Sequence, residues 1–216
     1  MHTQPHPRRA PLSLLAVVAL GLAWSAMSQR AHAQELTTEG NLVFGAERLF
    51  GFYLDKRNRE PANNVDVDFD QTVVGVGWGL VPGAGVLNMP RLGIDYFLNE
   101  HLTLGGSFGL ASVAIEDADA LGVLFAARVG YALRLTHGIA FWPRGGLTFA
   151  TVNGDLGDAS IFAFTLEGMF SFAPTSGWSF LVGPLLDLGF TGEYNDQDYT
   201  DFLFGIMFGL EGHIDL

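Results

Sequence analysis

The chain has no cysteine, only one lysine (Lys56) and few charges, 16% of its 216 residues. Without cysteine there is no disulfide framework, no thiolate metal site, no Cys nucleophile and no lipid-modified N-terminal Cys. With 11 basic residues against 23 acidic ones, nucleic acid is excluded as a partner, because phosphate binding needs the opposite balance. Charged residues fall well below the roughly 25% of an ordinary soluble domain. Hydrophobic residues make up 49%, with 28 Gly and 18 Phe. A length of 216 residues fits one domain plus a targeting segment.

Residues 1–33 read as that targeting segment. Arg8 and Arg9 precede an apolar run over 10–27, and Ala31-His32-Ala33 supplies small residues at both positions a signal peptidase reads. The pair Arg8-Arg9 lacks the flanks of a twin-arginine signal, which points to the general secretory route. Cleavage after Ala33 removes three arginines and no acid, leaving 8 basic against 23 acidic residues, a net charge of −15. Residues 34–216 contain no apolar stretch near 20 residues, so no later helix is expected to cross a membrane.

The mature region alternates with period two, the mark of strands with unlike faces. In 161–173, Phe162, Phe164, Leu166, Phe170 and Phe172 oppose Ala163, Thr165, Glu167 and Ser171. In 178–190, Trp178, Phe180, Val182, Leu186, Leu188 and Phe190 oppose Ser179, Gly183, Asp187 and Gly189. The C-terminus sets Phe202, Phe204, Ile206, Phe208, Leu210, Ile214 and Leu216 against small and polar residues that include Glu211, His213 and Asp215. Segments 42–54, 91–98, 102–113, 122–135 and 139–152 repeat the theme, which gives eight strands. Tight turns at 99–101, 136–138 and 174–177 alternate with longer acidic connections at 55–90, 114–121, 153–159 and 191–200.

A soluble barrel or sandwich also alternates, but its solvated face carries many Lys and Glu. Here the second face is Gly, Ala, Ser and Thr with isolated charges: Glu47, Arg91, Asp95, Arg128, Arg134, Arg144, Glu167, Asp187, Glu211 and Asp215. On strict alternation Arg48 alone falls on the apolar face, where a charge facing lipid would cost roughly 2–4 kcal/mol at mid-depth. The expected fold is therefore all-β: an eight-stranded antiparallel up-and-down transmembrane β-barrel over 34–216, with a long first extracellular loop at about 55–90. The inward charges, Asp215 aside, form a barrel-interior network on this reading. Tyr96, Phe97, Tyr131, Phe141, Phe172 and Trp178, all near the short turns, form an interfacial belt. Pro143 and Pro184 sit inside strands, on the outward face.

The stretches GAERLFGF (45–52), PRLGIDYFLNEHLTLGGSFGLA (90–111), FAARVGYALRL (125–135), FWPRGGLTFA (141–150) and GPLLDLGF (183–190) carry a family likeness. Across nearly all of 41–216 the chain resembles the outer membrane protein β-barrel domain family, in its small eight-stranded OmpA- and OmpX-like form. The resemblance implies insertion into an outer membrane by the barrel-assembly machinery, with outer-membrane lipid as surroundings and both mature termini periplasmic. Members usually end in an aromatic residue; this chain departs by ending in Leu216.

No catalytic residue, metal or cofactor is expected. Some such barrels modify lipid A, which needs His with Ser and an acid near the outer leaflet. The mature histidines, His101, His137 and His213, all map to the periplasmic end. The acidic run Asp66-Val67-Asp68-Phe69-Asp70 lacks the Gly and Glu an EF-hand requires, since Gln71 and Gly77 stand there. The Gly75–Gly79 run has no following helix to make it a phosphate loop. An eight-stranded barrel is only wide enough for its own side chains. The expected role is thus structural or surface-interacting, as a monomer with a plugged interior and loops whose ligand the residues do not name. The alternatives are a narrow gated channel for small solutes or ions, a lipid A-modifying enzyme, and a soluble secreted β-protein.

Overall fold

The computed structural model describes residues 37–59, 67–76, 86–115, 118–155, 158–175, 177–194 and 197–216. The targeting segment with Ala31 and Ala33, and Asp66 of the acidic run, lie outside these residues. Among the described residues ten strands are present: β1 Asn41–Arg59, β2 Val67–Val76, β3 Arg91–Phe97, β4 Leu102–Ile115, β5 Ala118–Tyr131, β6 Leu133–Thr136, β7 Ile139–Gly154, β8 Ala159–Thr175, β9 Trp178–Tyr194 and β10 Gln197–Asp215. A single 3-10 turn, Val86–Asn88, is the helical element among the described residues.

Neighbouring strands pair antiparallel in the order β10-β9-β8-β7-β5-β4-β3-β1, and β10 pairs back onto β1. That last ladder runs from Asn41↔Asp215 to Arg59↔Tyr199 and closes the sheet into an up-and-down barrel. β6 continues the β5 stave past a break at Ala132, pairing with β7 at Leu133↔Phe141. The barrel therefore has eight staves. Closure leaves the turn-end half of the wall without an edge, so its backbone polar groups bond to neighbours all round; beyond Arg91, among the described residues, β2 pairs only with β1 and the outer half of β4 only with β5.

The second stave differs from the expected single strand. β3 pairs with the first half of β1, from Leu42↔Tyr96 to Glu47↔Arg91. β2 pairs with the second half, from Phe50↔Val76 to Arg59↔Val67. The 55–90 stretch, expected as one loop, thus holds the end of β1, all of β2 and the 3-10 turn. The other connections expected to be long are also short, because the ladders run on beyond the apolar stretches. β4 and β5 stay paired to Ile115↔Ala118, and β9 and β10 to Tyr194↔Gln197. A hydrogen-bonded ladder needs only backbone groups, so it continues where the outward face turns polar.

At the opposite end the turns are tight. Asn99 Oδ1 accepts from the backbone N–H groups of His101 and Leu102, and Gly138 takes φ 75°. The N-terminal start of β1 and the C-terminal end of β10 meet at this turn end.

Alternation is kept through nearly every stave: β3 reads buried-exposed without a fault from Arg91 to Phe97. Phe52, Leu110, Phe125, Leu147 and Phe190 point outward, more than half exposed. Pro143 and Pro184 sit on the same outward side of their strands, paired with Gly168 and Ile206. Inside, Trp142 is fully buried and donates from Nε1 to Thr103 Oγ1 at 3.1 Å. Gly130 makes room for that bond, since a Cβ there would stand 2.4 Å from Trp142 Nε1 and 2.5 Å from Thr103 Oγ1. Gly130→Val is therefore expected to lower unfolding stability by about 1–3 kcal/mol. Gly168→Ala, whose Cβ meets nothing nearer than 3.4 Å, should be tolerated. Urea unfolding in lipid vesicles, followed by tryptophan fluorescence, measures both.

Candidate functional site: the ion-pair network inside the barrel

Four arginines and five carboxylates meet inside the barrel: Arg48, Arg91, Arg128 and Arg144 with Glu47, Asp95, Glu167, Asp187 and Glu211, every one of them buried. They come from seven strands, β1, β3, β5, β7, β8, β9 and β10 contributing through alternate positions, with β1 giving two in succession.

The first group surrounds Arg128. Its Nη1 and Nη2 donate to Glu47 Oε2 and Oε1 at 2.6 and 2.7 Å, and its Nε donates to Asp95 Oδ1 at 3.0 Å. A further bond joins Arg128 Nη2 to Asp95 Oδ2. One guanidinium therefore grips two carboxylates, the planar fork that Arg makes and Lys does not. Arg144 adds a bond from Nη1 to Glu47 Oε1 at 2.8 Å and lies with Nη2 2.8 Å from Glu167 Oε2. Its guanidinium also stacks over the Trp142 ring at 5.0 Å.

The second group surrounds Asp187. Arg48 donates from Nη1 to Oδ2 at 2.6 Å and from Nη2 to Oδ1 at 3.1 Å. Thr165 donates to Asp187 Oδ1 at 2.6 Å, and Arg91 Nη2 stands 4.0 Å from Oδ2. Glu167 bridges the groups, 3.5 Å from Arg48 and 2.8 Å from Arg144. Glu211 stands farthest from an arginine among the five carboxylates, 3.8 Å from Arg144, and accepts a bond from Ser179 at 3.2 Å. Between Arg91, Ser107, Arg128, Arg144 and Thr148 the free space is ≈ 10 Å³, room for about one water molecule.

Arg48 corrects the strict alternation. It points inward, 2% exposed, and not to the apolar face. Between Ala46↔Leu210 and Phe50↔Phe208 four steps on β1 oppose two on β10, a bulge that inserts two residues. Arg48 takes φ 54°, the left-handed region a non-glycine residue rarely enters, and the turn swings its side chain to the same side as Glu47. Because two residues are inserted, Phe50, Phe52 and Leu54 resume the outward face beyond it.

Arg134 is the second correction. It stands on β6, which is exposed throughout, and donates from Nη2 to Thr37 Oγ1 at 2.9 Å. The break at Ala132, whose N–H donates to His101 O at 2.7 Å, carries β6 out of the buried layer and Arg134 with it. Asp215 lies exposed at the end of β10. Sequence periodicity carried no signal for either shift, since a bulge and a strand break each reset the phase.

The interfacial aromatics cluster at the turn end. Tyr96, Tyr131 and Phe172 are exposed, Phe141 and Trp178 half-buried, and Phe97 points inward with no exposure. The His101 and Tyr131 rings meet at a tilt with centroids 5.3 Å apart, and Trp178 meets Phe180 edge-on at 4.7 Å.

A Ser–His contact lies near the same end. Ser179 Oγ is 3.0 Å from His213 Nε2, accepts from Ser171 at 3.0 Å and donates to Glu211. A hydroxyl has one proton, so with it committed to Glu211 the imidazole must be the donor. The acid bonds the serine and not the outer imidazole nitrogen, and Ser179 has no exposure. This is the reverse of an activated nucleophile. Among the described residues no group of three or more acidic or histidine side chains is arranged to hold a metal ion.

No family model matches the sequence, and no curated protein matches it. Among solved structures, the chain is similar to Neisserial surface protein A, with 12% identity over 81% of this chain and 97% of that one and a TM-score of 0.48. It is similar to the N-terminal β-barrel domain of Pseudomonas aeruginosa OprF, at 10% identity over 82% and 98% with a TM-score of 0.44. Ail, the attachment invasion locus protein of Yersinia pestis, gives 12% over 80% and 99% with a TM-score of 0.40. The eight-stave closure is read from the strand pairing itself.

Removing one ion from so closely paired a set leaves its partners buried and uncompensated. Arg128→Ala, which removes both hydrogen bonds of Asp95 and leaves Glu47 only the one from Arg144, is expected to cost about 3–5 kcal/mol. Arg134→Ala, at the exposed rim, should stay within about 0.5 kcal/mol of the parent. Urea titration in lipid vesicles gives both values, and equal losses would contradict the placement of Arg134 outside the network.

Proposed function

We propose that the chain is an integral outer-membrane β-barrel with a structural or surface-interaction role, its lumen closed by the ion-pair network. The observation that carries this is an inside-out distribution of polarity. Leu, Ile and Phe stand exposed on every stave while the nine charged residues of the network, with Asp55 and Asp201, are buried. Water would penalise so large a continuous apolar surface, and lipid favours it. The outward apolar run of β8, Phe162 to Phe172, spans 11 residues. With strands tilted as barrels require, that corresponds to about 25 Å, the height of an outer-membrane apolar band.

Orientation follows the same logic. The loop end carries exposed Asp119, Asp155, Asp158, Glu193 and Asp198, and belongs outside the cell; the turn end and both mature termini belong in the periplasm. A leader at 1–33 and insertion by the barrel-assembly machinery are part of this reading. Closure of the lumen is supported by the pairing of its ions and by how little space remains among them.

Two measurements test the proposal. Phe164→Arg should destabilise the protein by roughly 2–4 kcal/mol if that face meets lipid, and be near neutral if it meets water. Planar bilayers containing the purified protein should show no unitary currents; reproducible currents would replace the closed lumen with a channel.

A further inference from the structure

Residues just before β3 leave the wall. Upstream of Arg91 the stave does not continue upward beside β4 among the described residues; instead the Val86–Asn88 turn and Met89 lie inside the barrel. Leu87 has no exposure and Met89 has 1%. They pack against Ala111, Leu124, Ala150, Ile161 and Ala163, small or apolar residues that line the loop end of the lumen. The wall is hollowed for them: a Cβ at Gly109 would stand 2.9 Å from Met89 Cγ and Sδ.

What holds the turn is the outer half of the ion-pair network. Leu87 O accepts from Arg48 Nη1 at 2.7 Å and from Arg91 Nη2 at 3.0 Å. Arg48 reaches that carbonyl only because the β1 bulge turns it inward, and its other bonds fix it to Asp187. The seat is not fully satisfied. Asn88 Oδ1 is buried without a hydrogen-bond partner, a cost that contact with external water would relieve. A three-residue 3-10 turn has few backbone bonds of its own to resist leaving.

We propose that Val86–Met89 is a displaceable stopper at the outer end of the lumen, and that Arg48, anchored on Asp187, is the latch that seats it. This rests on the closed-lumen reading and divides the closure in two: a fixed ion-pair layer, and above it a turn whose departure opens the layer to the outside. Arg48 acts here as a positioning residue.

The chain has no cysteine, so Met89→Cys introduces a sole thiol. In full-length barrels reconstituted in vesicles, its rate of modification by a charged, membrane-impermeant maleimide reports unseating of the turn. With Arg48 present the thiol should be protected. Arg48→Gln should raise the rate about tenfold or more, the factor that losing one charge-assisted hydrogen bond corresponds to. Ala140→Cys, buried at the turn end, should stay slow in both backgrounds. If Arg48→Gln does not insert, Arg91→Gln removes the other donor to the same carbonyl and puts the same question. A heat-modifiable Arg48→Gln barrel with Met89→Cys still protected would overturn the latch, as would equal acceleration at Ala140→Cys, which would mean general loosening. Unitary currents from the unsubstituted barrel would instead defeat the closed lumen, leaving the two failures distinct.

Discussion

An ion enclosed by eight β-staves cannot keep its hydration shell, so it persists only where a partner of opposite charge replaces the water. That constraint organises the interior. Arg128 holds Glu47 and Asp95 at once, Arg48 grips both oxygens of Asp187, and Glu167 ties the two groups together. Each pair links strands far apart in the chain, β5 to β1 and β3, β1 to β9, so the network braces the barrel across its lumen as well as filling it. Of the network's five carboxylates Glu211 stands farthest from an arginine, and Ser179 supplies the hydrogen bond it otherwise lacks.

The outward face obeys the complementary rule. Once the ions are inside, the exterior is free to be apolar, and the belt of Phe and Leu on every stave is what lipid requires. Glycine connects the two requirements at Gly130, where the inner layer is too crowded for a side chain beside the Trp142–Thr103 bond. The bulge at Arg48 serves the interior without disturbing the exterior, because an insertion of two residues returns Phe50 to the outward side.

Most of the architecture was legible because a strand's two faces alternate whatever its neighbours are. Phe162 to Phe172, Phe202 to Leu210 and the tight turns at Asn99 and Gly138 identified staves and their order. The inward placement of Asp95, Arg128, Arg144, Glu167 and Asp187 follows from the same parity. Parity failed where the backbone departs from it. Parity places Arg48 outward because a regular strand admits only one of two adjacent residues to each face, and Arg134 inward because the break at Ala132 leaves no mark in the alternation. The split of the second stave into β2 and β3 was hidden for another reason: 67–76 is mixed in polarity and follows charged residues, so it reads as loop until β1 offers it a ladder.

What the residues determine alone is therefore local: period-two strands, apolar on one face and sparingly charged on the other, joined by turns. Which ions pair, and that the Val86–Met89 turn sits inside the barrel with its carbonyl between Arg48 and Arg91, emerge only when β10 closes on β1. Closure sets the register of every ladder. Register sets which inward side chains share a level, and at a separation of 139 residues, as between Arg48 and Asp187, nothing in the linear chain encodes that meeting.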